Sequence, residues 1–211
     1  MTWLSNNWID VLGLAATHLA LCLPALFLSL FIALPLGRLA FTRPRLGRPL
    51  LNTAALLYTI PALPLLIIIP LIVGLPLRSP LTMILALTVY GVALLVRSVA
   101  DGFSSVDQRV REGAIATGFS RRSLLWQVDL PLSAPVILAG LRVVASSTMG
   151  LVTIGALVGI PSLGTLITDG FQRNITAEVL TGVFVTVFLA LLIDVTLQFL
   201  GRLLTPWKAP T

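Results

Sequence analysis

The chain has 211 residues, of which 57% are hydrophobic and only 10% are charged, and its mean hydropathy is +1.02. An ordinary soluble domain carries about 25% charged residues, so this composition excludes a water-soluble core and indicates an integral membrane protein. The apolar runs far exceed the roughly 10 residues of a barrel strand, which predicts an all-α fold. The net charge of +6 is spread over short segments, which argues against a nucleic-acid surface.

Five apolar runs reach the roughly 20 residues that a bilayer-spanning helix needs. They cover approximately residues 12–36, 50–73, 81–96, 135–160 and 179–203. The first run is too long for the core of a signal peptide and has no Lys or Arg before it, so we interpret it as a retained helix. The sequence therefore predicts a polytopic membrane protein with five transmembrane helices in one domain, residues 1–211.

Basic residues predict the orientation in the cell membrane. A cluster of arginines in residues 38–48 follows the first span, and the positive-inside rule places it in the cytoplasm. The amino terminus is then outside and the carboxyl terminus, with Arg202 and Lys208, is cytoplasmic. We interpret residues 38–49 as a loop that binds anionic lipid.

Prolines interrupt the second span at Pro61, Pro64 and Pro70. Such breaks are tolerated in membranes where neighbouring protein or a water-filled cavity satisfies the freed carbonyl groups, so this span is a candidate wall of a pathway. The mid-span side chains that we expect to line it are Tyr58, Pro61, Tyr90, Thr148, Met149 and Thr153. Packing or contact with the lipid interface is the alternative for the aromatic rings.

Catalytic and metal-binding motifs are absent from the sequence. His18 has no carboxylate or thiol partners at ligand spacing, and Cys22 lies in an apolar run, so we interpret both as structural and predict no metal site. A membrane-embedded hydrolase is the alternative from another class, but it would need a nucleophile and a base within reach, and His18 has no matched acid. A Walker A motif is also missing, so any energy source must come from a partner chain.

A polar elbow, residues 104–131, stands between the third and fourth spans. Ser105 begins a possible capping box, which predicts a helix over residues 106–117, and Gly118 permits the left-handed turn that closes it. Ser120 is positioned to cap a second short helix, which we expect Pro131 to end. An amphipathic connector on the lipid headgroups is the alternative.

The spacing of the elbow closely resembles the EAA loop of ABC-importer permeases of the MetI-like type. The matching residues are Glu112, Gly113, Ala114, Gly118, Leu130 and Pro131. Gly113 stands where that pattern has alanine, which should loosen the helix by about 1 kcal/mol. Segments 58–70, 87–102, 130–142 and 159–172 are similar to the osmoprotectant branch, whose members carry glycine betaine, choline or carnitine. A methionine, phosphonate or other small-solute permease is the alternative within the family.

This resemblance implies partners. Two permease subunits, identical or sister chains, form the pathway, and two cytoplasmic ATPase subunits, which hold the ATP and Mg²⁺, each receive one elbow. An external binding protein delivers the solute, and this chain has neither a cofactor nor a catalytic residue. A passive channel would not explain the elbow.

The resemblance also implies roles for residues of the elbow. Glu112 contacts the ATPase or holds the elbow, Gly118 sets the bend, and Leu130 with Pro131 terminates it. A surface ion pair with Arg109 is the alternative for Glu112.

Arg142 and Asp194 are ionisable residues within predicted spans and should lie at similar depth. Because an intramembrane charge costs at least a few kcal/mol, we expect them to pair and so hold the bundle or gate its cytoplasmic end. Snorkelling is the alternative for Arg142. The outer loop, residues 159–178, should contain a short helix near Leu163 and Leu166 that serves as a gate, as a rim for the binding protein, or as a simple connector.

Overall fold

A computed structural model describes residues 2–206, apart from the side chain of Thr2. All regular elements in this range are helical, which confirms the all-α prediction. The α-helices are α1 (Thr2–Thr42), α2 (Pro44–Thr59), α3 (Ala62–Val73), α4 (Pro80–Ser104), α5 (Gln108–Ala116), α6 (Arg121–Leu124), α7 (Leu130–Ile154), α8 (Leu163–Gln172) and α9 (Thr176–Leu204). Lys208 lies outside the described residues.

Helix α1 is much longer than the apolar run that predicted it. Its 41 residues extend about 60 Å, twice the hydrocarbon thickness of a bilayer. The predicted basic loop over residues 38–49 is wrong, because these residues belong to the end of α1 and the start of α2, with only Arg43 between the helices. Gly47 allows α2 to pack closely against the end of α1, since a Cβ at this position would lie only 2.8 Å from the Cα of Ala40.

The second span is broken, as its prolines predicted. Helices α2 and α3 meet at 112° across Ile60 and Pro61. Ile60 is extended (ψ 125°) because the ring of a following proline disfavours the helical conformation. Among the described residues, four helices are long and apolar enough to span a membrane, and the broken pair gives the predicted fifth span if it crosses as one unit.

Helix α4 lies at the centre of the bundle and packs against α1, α2 and α7. In the most apolar 18-residue stretch of α4, 61% of the residues are buried, whereas in the corresponding stretch of α9 only 11% are buried. Helix α9 is therefore peripheral. The core between α4 and α7 contains fully buried Leu95, Val99, Val144 and Val152.

Helix α8 is the short helix predicted for the outer loop. Ser162 caps it, because its hydroxyl accepts from the Gly164 N–H at 3.1 Å while the Thr165 hydroxyl accepts from the Ser162 N–H at 3.2 Å. This reciprocal capping box satisfies the N–H groups of Ser162 and Gly164 at the start of α8.

Candidate functional site: the polar elbow

The first helix of the elbow, α5, begins at Gln108. Its N-cap is Asp107, whose carboxylate accepts from the Arg109 N–H at 2.8 Å. The predicted capping box at Ser105 is wrong, because Ser105 ends α4 and its hydroxyl donates to the Gly102 carbonyl at 2.8 Å. Asp107, two residues further on, caps the helix instead.

Gly118 closes α5 in the left-handed conformation, with φ at +91°. The Phe119 N–H donates to the Ala114 carbonyl at 3.1 Å and the Gly118 N–H donates to the Ile115 carbonyl at 3.0 Å. This is a Schellman motif, so the sharp bend predicted at Gly118 is present.

The second helix of the elbow does not end at Pro131. Ser120 caps α6 by accepting from the Ser123 N–H at 3.2 Å, as predicted. The chain then forms a π-helical turn over Leu125–Asp129 and continues into α7. Pro131 lies in the first turn of α7, where the register change made by the π turn accommodates a residue without an N–H. The helical rod Arg121–Val158 is therefore continuous from the elbow into the bundle.

Part of the elbow surface is exposed, and three of the six residues that resemble the EAA loop lie there. Glu112, Gly113 and Gly118 are exposed, whereas Ala114, Leu130 and Pro131 are half-buried. Three large apolar side chains of the elbow are also exposed, namely Val110, Ile115 and Trp126. The Glu112 carboxylate accepts from the Gln108 amide at 3.1 Å, and the described residues contain no ion pair between Glu112 and Arg109.

The elbow also contains a buried ion pair that the sequence analysis missed. The Arg111 Nε donates to the Asp129 Oδ1 at 2.7 Å, and both residues are less than 10% exposed. The two residues are 18 positions apart on different helices, so no helical spacing pointed to them. The available signal was the presence of two opposite charges in one short polar segment.

Tyr58 and Tyr90 meet at the break between α2 and α3. Their rings form an edge-to-face pair with centroids 5.6 Å apart, and the Tyr90 hydroxyl donates to the Ile60 carbonyl. Pro61 is exposed and caps α3. The break borders a small cleft between α3, α4 and α7, to which Tyr90 and Leu151 contribute.

The α7 residues proposed for the pathway differ in their accessibility. Thr148 and Met149 are buried, at 3% and 0% exposure, and their contribution to a pathway stays a prediction. They face the packed interior, where the Met149 carbonyl lies 3.1 Å from the His18 Nε2. Thr153 is half-buried and its hydroxyl donates to the Gly150 carbonyl at 2.6 Å.

Arg142 and Asp194 form the predicted ion pair between α7 and α9. The Nε donates to Oδ1 and the Nη2 donates to Oδ2, each at 2.7 Å, which is the bidentate geometry that favours an arginine. About a third of each side chain is exposed.

His18 and Cys22 are fully buried in α1, as their structural interpretation requires. Within residues 2–206, His, Cys, Asp and Glu side chains form no group that could hold a metal ion.

Comparison with known families gives one match over most of the chain. Residues 25–209 match the model of the binding-protein-dependent transport system inner membrane components. The glycine betaine/carnitine/choline transport system permease protein OpuCD of Bacillus subtilis is 31% identical over 208 residues, which are 98% of this chain and 90% of that protein. The choline transport system permease protein OpuBD of Bacillus subtilis is 30% identical over 99% of this chain and 91% of its own length.

Solved structures support the same fold. A structure of the MetNI methionine ABC transporter in an inward-facing conformation matches with a TM-score of 0.82 and 23% identity, covering 97% of this chain and 98% of that chain. A crystal structure of an amino acid ABC transporter with histidines matches with a TM-score of 0.75 and 14% identity, covering 98% of each chain. At these identities the likeness concerns the fold alone.

Proposed function

This chain belongs to the binding-protein-dependent transport system inner membrane components, and from that premise we propose that it translocates a small compatible solute such as glycine betaine, choline or carnitine. The support for the solute class is the near full-length similarity to permeases named for these compounds, at 30% to 31% identity. Methionine is the second candidate, but it is suggested only by a likeness of fold at 23% identity.

The elbow is the proposed docking site for a cytoplasmic ATPase. The observation that carries this proposal is the exposure, on the surface of the elbow, of Glu112 and of the large apolar side chains of Val110, Ile115 and Trp126. Exposed apolar groups rimmed by charge mark protein–protein contact sites. Gly118 sets the bend between the two helices, while Leu130 and Pro131 begin the helix that carries the elbow's movement into the bundle.

The proposed assembly has two permease subunits, which are two copies of this chain or this chain and a sister chain. Two ATPase subunits bind the ATP and Mg²⁺, so this chain contributes no catalytic residue and no cofactor site. An extracytoplasmic binding protein delivers the solute to the outer side, where α8 is a candidate rim. The amino terminus is outside and the carboxyl terminus is cytoplasmic, in agreement with the positive-inside rule.

The solute is tested by reconstituting the chain in lipid with its ATPase and binding protein. We expect glycine betaine, choline or carnitine to stimulate ATP hydrolysis, and proline and methionine to leave it at the basal rate. Stimulation by methionine alone would transfer the assignment to the second candidate.

Docking is tested by Glu112→Lys and Gly118→Trp. Charge reversal at exposed Glu112, or a bulky side chain at exposed Gly118, should abolish ATP-driven uptake or the co-purification of the ATPase, while the chain still inserts into the membrane. Asp10→Lys is the matched control. It reverses another exposed carboxylate, which lies near the amino-terminal end of α1, away from the elbow. Normal uptake in both elbow variants would contradict the proposed docking site.

A further inference from the structure

Arg111 is buried although it belongs to the most polar segment of the chain. It is the one buried residue of α5, at 9% exposure, so it is the main attachment of that helix to the rest of the protein. Its Nε donates to the Asp129 Oδ1 at 2.7 Å, which joins α5 to the π turn at the base of α7.

The remaining donors of Arg111 reach the end of α4 and the connection that follows it. The Nη2 donates to the Phe103 carbonyl, and the Nη1 donates to the Val106 carbonyl at 3.2 Å. The Phe103 carbonyl belongs to the last turn of α4, where carbonyl groups have no partner within the helix, and the Val106 carbonyl belongs to the connection between α4 and α5. One guanidinium group therefore satisfies three acceptors on two sides of α5.

Helix α1 contributes the fourth contact. The Arg111 Cζ lies 4.8 Å from the centroid of the Phe41 ring, a cation–π distance, and Phe41 in turn stacks on Phe103 at 6.1 Å. Arg111 thus touches the cytoplasmic ends of α1, α4 and α7, the three helices that pack around the core of the bundle.

A buried ion pair is an expensive way to obtain stability, because apolar residues of similar volume often replace it without loss. The planar guanidinium group of the arginine, unlike apolar packing, fixes the relative orientation of the groups that it joins. The partner Asp129 also lies in a π-helical turn, a feature found frequently at functional sites.

We propose that Arg111, paired with Asp129, is the positioning residue that makes the elbow move as one body with the cytoplasmic ends of α1, α4 and α7. This inference rests on the proposed docking of an ATPase at the elbow. Arg111 contacts no solute and no nucleotide, and its role is to convert a displacement of α5 into a displacement of the bundle.

The first test needs only this chain in lipid nanodiscs. Spin labels on cysteines introduced at exposed Ile115 and exposed Val143 report the distance between the elbow and α7, and fully buried Cys22 should not be labelled. The double variant Arg111→Met/Asp129→Leu should broaden this distance distribution, and Arg109→Met, which removes an exposed arginine from the same helix, should leave it unchanged. An unchanged distribution in the double variant overturns the proposal.

The second test uses the complex with the ATPase and binding protein. In the double variant the complex should assemble and hydrolyse ATP, while solute transported per ATP hydrolysed falls by about fivefold or more. Arg111→Lys, which keeps the charge without the fork, should lower the same ratio. A ratio equal to that of the wild type overturns the proposal, as does a loss of uptake that only follows a loss of assembled complex. If the wild-type complex shows no ATP-driven uptake, the proposed function fails, and the spin-label distances still decide whether Arg111 holds the elbow.

Discussion

Gly113 and Gly118 are both exposed glycines of the elbow, and neither has an atom within 4 Å of the position that a Cβ would take. They differ in backbone conformation. Gly113 lies within α5, where glycine costs about 1 kcal/mol relative to alanine, whereas Gly118 has a φ of +91°, which an L side chain adopts only at a cost of about 1–2 kcal/mol. The same substitution should therefore have opposite effects on stability at two sites that are five residues apart.

Gly113→Ala should stabilise α5 by up to about 1 kcal/mol, and Gly118→Ala should destabilise the end of α5 by about 1 kcal/mol. Hydrogen exchange of the amides in residues 110–119 measures both effects, since 1 kcal/mol changes the exchange rate about fivefold. Slower exchange in both variants would show that the left-handed turn at Gly118 is not required.

The break between α2 and α3 needs an external donor. In a continuous helix the Ile60 carbonyl would accept from residue 64, which is a proline and has no N–H. The Tyr90 hydroxyl of α4 donates to that carbonyl instead. The bent span is thus held by the central helix of the bundle, which is the kind of compensation that membranes demand at a break.

Tyr90→Phe should cost about 1–3 kcal/mol, because it leaves a carbonyl without a partner while keeping the ring. Tyr58→Phe is the matched control, since the described residues give the Tyr58 hydroxyl no hydrogen-bond partner and the ring pair is preserved. The melting temperature in nanodiscs should fall for the first variant only. Equal melting temperatures would mean that water replaces the tyrosine hydroxyl.

Helix α9 is peripheral in the whole protein and carries one half of the Arg142–Asp194 ion pair. Removing one partner leaves an unpaired charge within the span, whereas removing both leaves none. Asp194→Leu should therefore be less stable than Arg142→Met/Asp194→Leu, by about 1–3 kcal/mol given the partial exposure of the pair. Thermal unfolding of the purified variants in nanodiscs measures the difference, and a double variant that is the less stable of the two would show that the pair itself holds α9.

The sequence predicted the features that follow from where apolar and charged residues lie along the chain. The spans followed from their apolar runs, and the pair of Arg142 with Asp194 followed from the rarity of charges inside lipid. Helix bounds were wrong where helices continue past the lipid through polar residues, as α1 does at Arg38 and α4 does at Arg97. The pair of Arg111 with Asp129 escaped because it depends on the folding of α5 against α7, which no local pattern in the sequence records.

The uninterrupted helix from Arg121 to Val158 has a geometric consequence for the two sides of the membrane. Its 38 residues extend about 57 Å, so a tilt of only about 5° about one end displaces the other end by about 5 Å. A small tilt of this helix imposed from the cytosol would therefore move its outer end by several ångströms without bending the helix. A displacement of that size is enough to admit or exclude a molecule the size of an amino acid.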